Sequence, residues 1–183
     1  MNSSKLYGMV LAAAMATPAL AGTLTVDQAK SWVHVDAKST GHDFTGKLEK
    51  FTASVSGDDA TLAPSSASLS WDFADLKTGD GDRDKEMLSW LDHGKTPGGS
   101  FKMSKTWKDG KGATWAQGSL KIHGISKTVV FPVTAKKDGN HVSIGGEVWI
   151  DHQDFSLPII TKMVVMTVDP KLKISFHLEG SVN

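Results

Sequence analysis

The sequence predicts an all-β protein, an antiparallel barrel or sandwich with one short helix near residues 82–93. Three observations predict this fold class. Apolar and polar residues alternate with a period of two through most of the chain. Clusters of Gly, Asp, Asn and Pro separate the alternating runs, and one stretch has helical periodicity instead. A barrel is favoured because closure removes the edge strands that template aggregation.

The first residues, 1–21, are predicted to be a cleaved secretory signal peptide. Lys5 is their only charged residue, an apolar run follows it, and residues 19–21, Ala-Leu-Ala, form a small-x-small cleavage site. The apolar run is too short for a good transmembrane helix. The mature domain is then residues 22–183, and we expect it in the periplasm or outside the cell.

Charge and cysteine content exclude several classes of function. The chain carries 20 basic and 20 acidic residues and no cysteine. A balanced charge predicts no nucleic-acid partner, because such binding needs a clustered basic surface. Without cysteine there is no disulfide, no thiolate metal site and no cysteine nucleophile. An exported domain of this length must then be stabilised by burial of a sizeable core.

The alternating runs predict the strands in chain order. Within each run the apolar residues share one face, which is typical of antiparallel sheets with one buried and one solvated face. The residues of the predicted buried face are Val33, Val35, Ala37, Phe51, Ala53, Val55, Ala67, Leu69, Trp71, Phe73, Phe101, Met103, Leu120, Ile122, Val129, Phe131, Val133, Val142, Ile144, Val148, Ile150, Leu172, Ile174, Phe176 and Leu178.

One segment breaks the alternation and predicts the helix. Asp80 or Asp82 can cap its first turn, since a carboxylate accepts hydrogen bonds from the backbone N–H groups there. Met87 and Leu91 lie on one apolar stripe, and Gly94 can end the helix in a left-handed conformation. We expect this helix to cover one end of the barrel.

A tight bend is predicted where His123-Gly124 joins two alternating runs. Gly124 can adopt backbone conformations that other residues resist. Pro132 lies inside the second run and cannot donate to a ladder, so that strand should have a free edge or a bulge there. We expect His123 to bond to backbone at this corner and not to a metal.

Seven histidines raise the question of a metal site or of catalysis. No two of them have the short spacing of a zinc motif such as H-E-x-x-H. His34 and His177 lie on the polar phase of their strands, so they should face solvent. The chain also has no G-x-S-x-G elbow and no phosphate loop. We therefore expect no catalytic residues, no metal ligands and no enzyme activity, while histidines that only the fold brings together stay an open alternative.

The aromatic residues of the buried face allow two interpretations. In a narrow barrel they would fill the core, and in a wider barrel they would line an apolar cavity for a lipid. Periodicity alone favours the filled core.

Four segments together resemble the YceI-like family of exported bacterial proteins. Residues 78–88, TGDGDRDKEML, are similar to its Thr-Gly…Arg-Asp…Leu segment, and residues 118–133, GSLKIHGISKTVVFPV, to its central strand pair. Residues 145–157, GGEVWIDHQDFSL, and residues 41–51 resemble two further segments. The resemblance covers nearly the whole mature chain, with the motifs in the same order.

This resemblance implies a lipocalin-like antiparallel β-barrel of about eight strands with an elongated apolar interior. Members of the family are associated with binding polyisoprenoids or other long-chain lipids, including isoprenoid quinones. The resemblance therefore favours the cavity over the filled core. The chain departs from the family pattern at His152, where Arg is usual, at Ser156, where Gly is usual, and in the sequence TPGGSF at residues 96–101.

The leading hypothesis is an exported carrier or buffer for a polyisoprenoid, an isoprenoid quinone or a fatty-acid-like lipid. Burying hydrocarbon contributes about 0.8 kcal/mol per CH₂, so a long chain can bind without a charged contact. The predicted ligand-binding residues are Phe51, Leu69, Trp71, Phe73, Met87, Leu91, Phe101, Met103, Leu120, Ile122, Phe131, Ile150 and Phe176.

The main alternative is a periplasmic partner-binding or stress-response module without a tightly bound lipid, which a quinone would link to a membrane redox partner. Such a module would show an exposed apolar patch and not a tunnel. A third alternative is binding of metal or haem by a pair of histidines. A homodimer is compatible with any of these.

Overall fold

The computed structural model describes residues 21–58, 62–162 and 166–182, and strands make up most of them. Apart from Ala21, the predicted signal peptide lies outside the described residues. The strands are β1 (Ala21–Val26), β2 (Trp32–Ser39), β3 (Phe44–Leu48), β4 (Thr52–Asp58), β5 (Pro64–Asp72), β6 (Leu76–Lys77), β7 (Gly98–Lys108), β8 (Thr114–Ile122), β9 (Ile125–Asp138), β10 (His141–Asp151), β11 (Thr161–Lys162) and β12 (Met166–Val182). The helices are α1 (Gly81–Trp90) and two 3₁₀ helices, Phe73–Asp75 and His152–Phe155.

Eight strands close into an antiparallel barrel, which confirms the predicted fold class. Around the barrel the order is β1, β4, β5, β7, β8, β9, β10 and β12, and β12 pairs with β1 to complete the circle. β12 is long enough to pair with β10 along one edge and with both β1 and β2 along the other. The barrel therefore buries one face of each strand, as the period-two alternation requires.

Three positions in the wall are each filled by two short strands in succession. β1 and β2 follow one another along β12, and β2 pairs in turn with β3, which pairs with β6. The pairs are β1 with β2, β4 with β3, and β5 with β6. β1, β4 and β5 belong to the eight-stranded ring, and β2, β3 and β6 extend the wall beyond it. The alternating runs at residues 33–37 and 51–55 predict β2 and β4 but not β1. Short loops at residues 27–31 and 49–51 separate β1 from β2 and β3 from β4.

The inward side chains form two apolar clusters. One cluster contains Leu24, Val33, Leu48, Phe51, Val55, Val142, Ile144 and Leu178. The other contains Phe73, Leu91, Leu120, Ile122, Ile150, Phe155 and Leu157, with Met87 and Trp90 of α1 packed against it. Trp71 and Ile174 contact both clusters. Each fully buried large apolar side chain contributes about 1.5–3 kcal/mol, so the two clusters are the main source of the protein's stability.

The helix α1 begins as predicted but ends differently. The carboxylate of Asp80 caps it by accepting hydrogen bonds from the backbone N–H groups of Asp82 and Arg83, at 3.0 and 3.1 Å. The predicted end at Gly94 is wrong, since the left-handed residue after the helix is Asp92, with φ 48°. Aspartate tolerates this conformation because its short polar side chain bonds locally. No helix in the described ranges is long and apolar enough to cross a membrane.

The bend predicted at His123-Gly124 is a two-residue hairpin turn between β8 and β9. Ile122 pairs with Ile125 directly across it, and φ is 49° at His123 and 75° at Gly124. Positive φ at both central residues is the requirement of a type I′ turn, which matches the twist of the flanking strands. The Nδ1 atom of His123 bonds the carbonyl oxygen of Phe155 at 3.1 Å, which confirms that this histidine bonds to backbone.

Candidate functional site

An apolar cavity of about 540 Å³ occupies the interior of the barrel. This volume lies within the range of about 300–1,000 Å³ that is usual for ligand pockets. Side chains from β2, β5, β7, β8, β9, β10 and β12 line it, and α1 lies across one end. Of the two interpretations that the aromatic residues allow, the structure therefore has the cavity.

Glycines in the wall leave room for the aromatic rings of the cavity. The ring of Phe101 lies on Gly118 and the ring of Trp71 lies on Gly99, so closely that a Cβ atom at either glycine would collide with the ring. A Cβ at Gly146 would lie 2.9 Å from the ring of Phe176. All three glycines occupy inward positions of their strands. The rings therefore lie against the wall instead of filling the axis of the barrel.

The aromatic rings also pack against each other. Phe131 lies between Phe101 and Phe176, with ring centroids 5.6 and 5.8 Å apart. Trp71 makes an edge-to-face contact with Phe73 at 6.0 Å. Such pairs contribute about 0.5–1.5 kcal/mol beyond the area that they bury. They hold the rings in fixed positions on the wall of the cavity.

Polar residues at the end covered by α1 form the mouth of the cavity. Thr78 bonds to two residues in the first turns of α1. Its hydroxyl donates to Asp84 Oδ1 at 2.6 Å and accepts from Arg83 Nε at 2.9 Å. The guanidinium carbon of Arg83 lies 4.6 Å from the ring centroid of Phe44, a cation–π distance. Arg83, Thr78 and Phe44 all line the cavity.

None of these mouth residues is among the ligand-binding residues predicted from the sequence. The signal was present in the segment TGDGDRDKEML, whose Thr78, Arg83 and Asp84 form the hydrogen-bond network of the mouth. From this segment the sequence predicts a helix cap and the family resemblance, but no site residue among its polar side chains. Its polar residues lie outside the alternating pattern from which the site residues were predicted.

His152 is the most buried polar side chain lining the cavity, with 1% of its surface exposed. Its Nδ1 bonds the carbonyl oxygen of Leu157 at 3.3 Å, and its Nε2 has no hydrogen-bond partner among the residues that the structure describes. The ring packs edge-on against Trp90 of α1, with centroids 5.1 Å apart. Burial lowers the pKa of His152, because the charged imidazolium would lose its hydration.

The predicted ligand-binding residues fall into two groups. The cavity is lined by Leu69, Trp71, Phe73, Met87, Leu91, Phe101, Met103, Leu120, Ile122, Phe131, Ile150 and Phe176. Phe51 is not among the lining residues, and it packs instead in the first apolar cluster with 8% of its surface exposed. The reason is that Phe51 lies in the break between β3 and β4, where the strand alternation no longer sets its direction.

The histidines do not form a metal centre in the described part of the chain, where no three His, Asp or Glu side chains are grouped so that they could hold an ion. His34 and His177 stack on Trp32, with ring centroids 4.4 and 5.9 Å apart, on the outer face of the sheet. Glu179 Oε1 lies 2.8 Å from His141 Nε2, and the hydrogen bond with His141 lowers the pKa of the Glu179 carboxyl.

The sequence profile of the YceI-like domain matches residues 24–180. The chain belongs to the YceI-like family. Relatives of this YceI-like domain include a UPF0312 protein of Vibrio parahaemolyticus, 27% identical over 188 residues that span 96% of each chain. A UPF0312 protein of Vibrio campbellii is 25% identical over 94% of each chain.

Solved structures share the fold of this YceI-like barrel. BcnA of Burkholderia cenocepacia superposes with a TM-score of 0.75 and 28% identity, over 85% of this chain and 99% of BcnA. A domain of Saccharophagus degradans described as polyisoprenoid-binding superposes with a TM-score of 0.62 and 13% identity, over 88% of this chain and 98% of that domain. At that identity the second likeness shows the fold alone.

Proposed function

We propose that this YceI-like barrel binds a long-chain apolar lipid, a polyisoprenoid, an isoprenoid quinone or a fatty-acid-like chain, and acts as its carrier or store. The observation that carries the proposal is the apolar cavity of about 540 Å³ inside a closed barrel. The polyisoprenoid-binding description of the S. degradans domain, which has the same fold, supports this class of ligand.

The proposed driving force is burial of hydrocarbon. Each CH₂ group that leaves water contributes about 0.8 kcal/mol, and the aliphatic and aromatic lining offers no competing polar partner over most of its area. A ligand with several isoprene units then binds tightly without an ionic contact. This arrangement needs no catalytic group, and the proposed role is binding and not catalysis.

The proposed orientation places the tail in the barrel and the polar end at the mouth. Ser39, His42, Thr78 and Arg83 line the cavity near α1. These side chains offer hydrogen bonds that the apolar wall lacks. A hydroxyl, carbonyl or anionic end group would therefore be least costly to hold there.

The proposed site of action is the periplasm or the extracellular space, after removal of residues 1–21. A lipid moving through an aqueous compartment needs its hydrocarbon covered, which a closed barrel provides. Cell fractionation with N-terminal sequencing of the native protein tests this, and we expect a chain that begins at Gly22. A protein that keeps Met1 and stays in the cytoplasm would contradict it.

Mass spectrometry of an organic extract of the purified mature protein tests the proposed ligand class. We expect a long-chain lipid in wild-type extracts and much less in the variant Leu69→Trp, which places an indole in the cavity. Ser70→Trp is the matched control, because the neighbouring side chain points away from the interior. Wild-type extracts without lipid, or equal lipid in both variants, would overturn the proposal. A lipid-free extract with a co-purified protein would favour the partner-binding alternative.

A further inference from the structure

The barrel wall is split between β9 and β10. The ladder between them runs from the pair Asp138 and His141 to the pair Val133 and Gly146, and there it stops. β9 continues over residues 125–132, where β8 is its only partner strand among the described residues. β10 continues over residues 147–151, and in the described part of the chain only β12 pairs with it there.

The cause of the split is visible where the ladder ends. Pro132 has no backbone N–H to donate, so the ladder cannot continue through it. Its carbonyl oxygen approaches the backbone of Gly146 so closely that a Cβ there would lie 2.8 Å away. The structure thus confirms the free edge that Pro132 predicts.

The split is bounded at its other end as well. The second 3₁₀ helix, His152–Phe155, follows β10 and turns toward the start of β9. There the carbonyl oxygen of Phe155 bonds His123 Nδ1 at 3.1 Å. The two unpaired edges therefore enclose a window, which we define as the gap between residues 125–132 and residues 147–151.

The side chains of the window are apolar on both faces of the wall. Inside, Val129 of β9 and Val148 of β10 line the cavity. Outside, Trp149 and Val130 are 54% and 45% exposed, the highest values among the exposed large hydrophobic residues of the described ranges. Continuing the register of the ladder by three residues places Val130 directly opposite Trp149.

We propose that the window between β9 and β10 is a side passage through which the hydrocarbon chain of the ligand moves between the cavity and a lipid surface. The proposal rests on the proposed lipid-binding function and adds the route. The exposed pair Val130 and Trp149 provides the apolar contact outside the wall, and Val129 and Val148 provide it inside.

Energetics favour this part of the wall over the rest. Separating two paired strands breaks several hydrogen bonds, each with a net contribution of about 1 kcal/mol. β9 and β10 share no ladder pair across the window, so the edges can part without that loss. An extended peptide could also add to such an edge. The apolar flanks and the missing donor at Pro132 favour a hydrocarbon chain over a peptide.

A reversible cross-link across the window tests the passage. The chain has no cysteine of its own, so the double variant Val130→Cys/Trp149→Cys contains a single cysteine pair. The variant is loaded with the fluorescent fatty acid cis-parinaric acid and mixed with excess phosphatidylcholine vesicles. We expect oxidation to slow transfer of the probe to the vesicles by about tenfold or more, and reduction to restore the rate.

The matched control is the double variant Lys136→Cys/Ser143→Cys, which joins the same two strands where they are already paired. Its transfer rate should not change on oxidation. Should the window cysteines stand too far apart for a disulfide, a short bismaleimide joins them through thioether bonds, and we expect it to slow transfer without recovery on reduction. A cross-linked window with an unchanged rate would overturn the passage while leaving lipid binding intact.

Failure of the wild type to bind cis-parinaric acid would remove the lipid-binding function and the passage with it. Capture of an extended peptide by the open window, with no effect on lipid transfer, would also overturn the passage.

Discussion

At the scale of single residues, glycine decides whether this barrel has an interior. Phe101, Trp71 and Phe176 are large enough to fill the core, and periodicity alone favours that outcome. Their rings lie instead on Gly118, Gly99 and Gly146, close to the wall. Glycine inside a strand usually weakens the strand. It often occurs where another group approaches the backbone closely.

Replacing Gly118 with alanine should therefore close part of the cavity. The new Cβ would collide with the ring of Phe101 and lie 2.7 Å from the carbonyl oxygen of Lys102. We expect the free energy of unfolding in urea to fall by about 1–3 kcal/mol, as for other overpacked cores, and binding of cis-parinaric acid to weaken. Gly110→Ala is the control, because a Cβ there meets nothing within 4 Å. Gly118→Ala with wild-type affinity would refute this account of the cavity.

His152 should make the stability depend on pH in a defined direction. Burial holds its folded pKa below the ordinary value of 6.5, so the unfolded chain binds more protons in that range. The free energy of unfolding then falls as the pH drops below about 6.5, and the loss is complete once the pH is below the folded pKa. The lowered carboxyl pKa values, such as that of Asp72, act only at more acidic pH.

The comparison of wild type with His152→Phe isolates this contribution. Phenylalanine keeps the ring against Trp90 but cannot be protonated. We expect urea denaturation between about pH 7.5 and 5 to show a smaller fall in unfolding free energy for the variant. His34, whose pKa burial also lowers, titrates in both proteins and cancels. Parallel pH profiles would show that His152 does not titrate on unfolding.

At the scale of elements, α1 is fastened over the mouth by few polar contacts. Trp90 Nε1 donates to the carbonyl oxygen of Pro158 at 2.9 Å, and Arg83 holds the first turn to Thr78. Its apolar residues Met87 and Leu91 pack against the second cluster. The helix is therefore attached to the barrel mainly through one face and through Trp90.

Trp90→Phe should loosen this helix without unfolding the barrel. The variant loses one hydrogen bond with a net contribution of about 1 kcal/mol, which corresponds to an opening equilibrium about fivefold larger. Hydrogen exchange measured by mass spectrometry should show faster exchange across Gly81–Trp90 and unchanged exchange in β8. Trp107→Phe, at an exposed indole, serves as the control. Equal exchange of α1 in all three proteins would show that the Pro158 contact does not hold the helix.

At the scale of the whole molecule, the barrel trades core packing for a cavity. Each residue that lines an empty volume lacks contacts on one side, so the ligand should supply part of the native stability. Protein stripped of lipid by unfolding and organic extraction should melt at a lower temperature than protein as purified. Adding cis-parinaric acid at about a hundred times its Kd should restore about 2.7 kcal/mol.

The Leu69→Trp variant provides the control for this prediction. Its indole occupies space that the lipid would fill, so its melting temperature should respond less to extraction and to added probe. Differential scanning calorimetry measures both proteins before and after extraction. If wild type and variant respond equally, the stabilisation does not arise in the cavity.

The sequence by itself determined the fold class, the helix start and the corner at His123-Gly124. These features depend on local chemistry: alternation of apolar residues, a carboxylate cap at Asp80, and glycine at a left-handed position. The same alternation identified most of the cavity wall, because it states which side chains face inward. Phe51 was the exception, since it lies where a strand is interrupted.

The tertiary structure alone decided whether the interior is filled, where the mouth lies and where the wall is split. Periodicity gives the direction of a side chain and not the distance across a barrel, which depends on how many strands close and on rings such as Phe101 lying over glycine. The mouth brings Phe44 to Arg83 from segments far apart in the chain. Pro132 predicted a free edge, but only the paired partner strands showed that Val130 and Trp149 face each other across it. These are non-local relations, and no local pattern in the sequence encodes them.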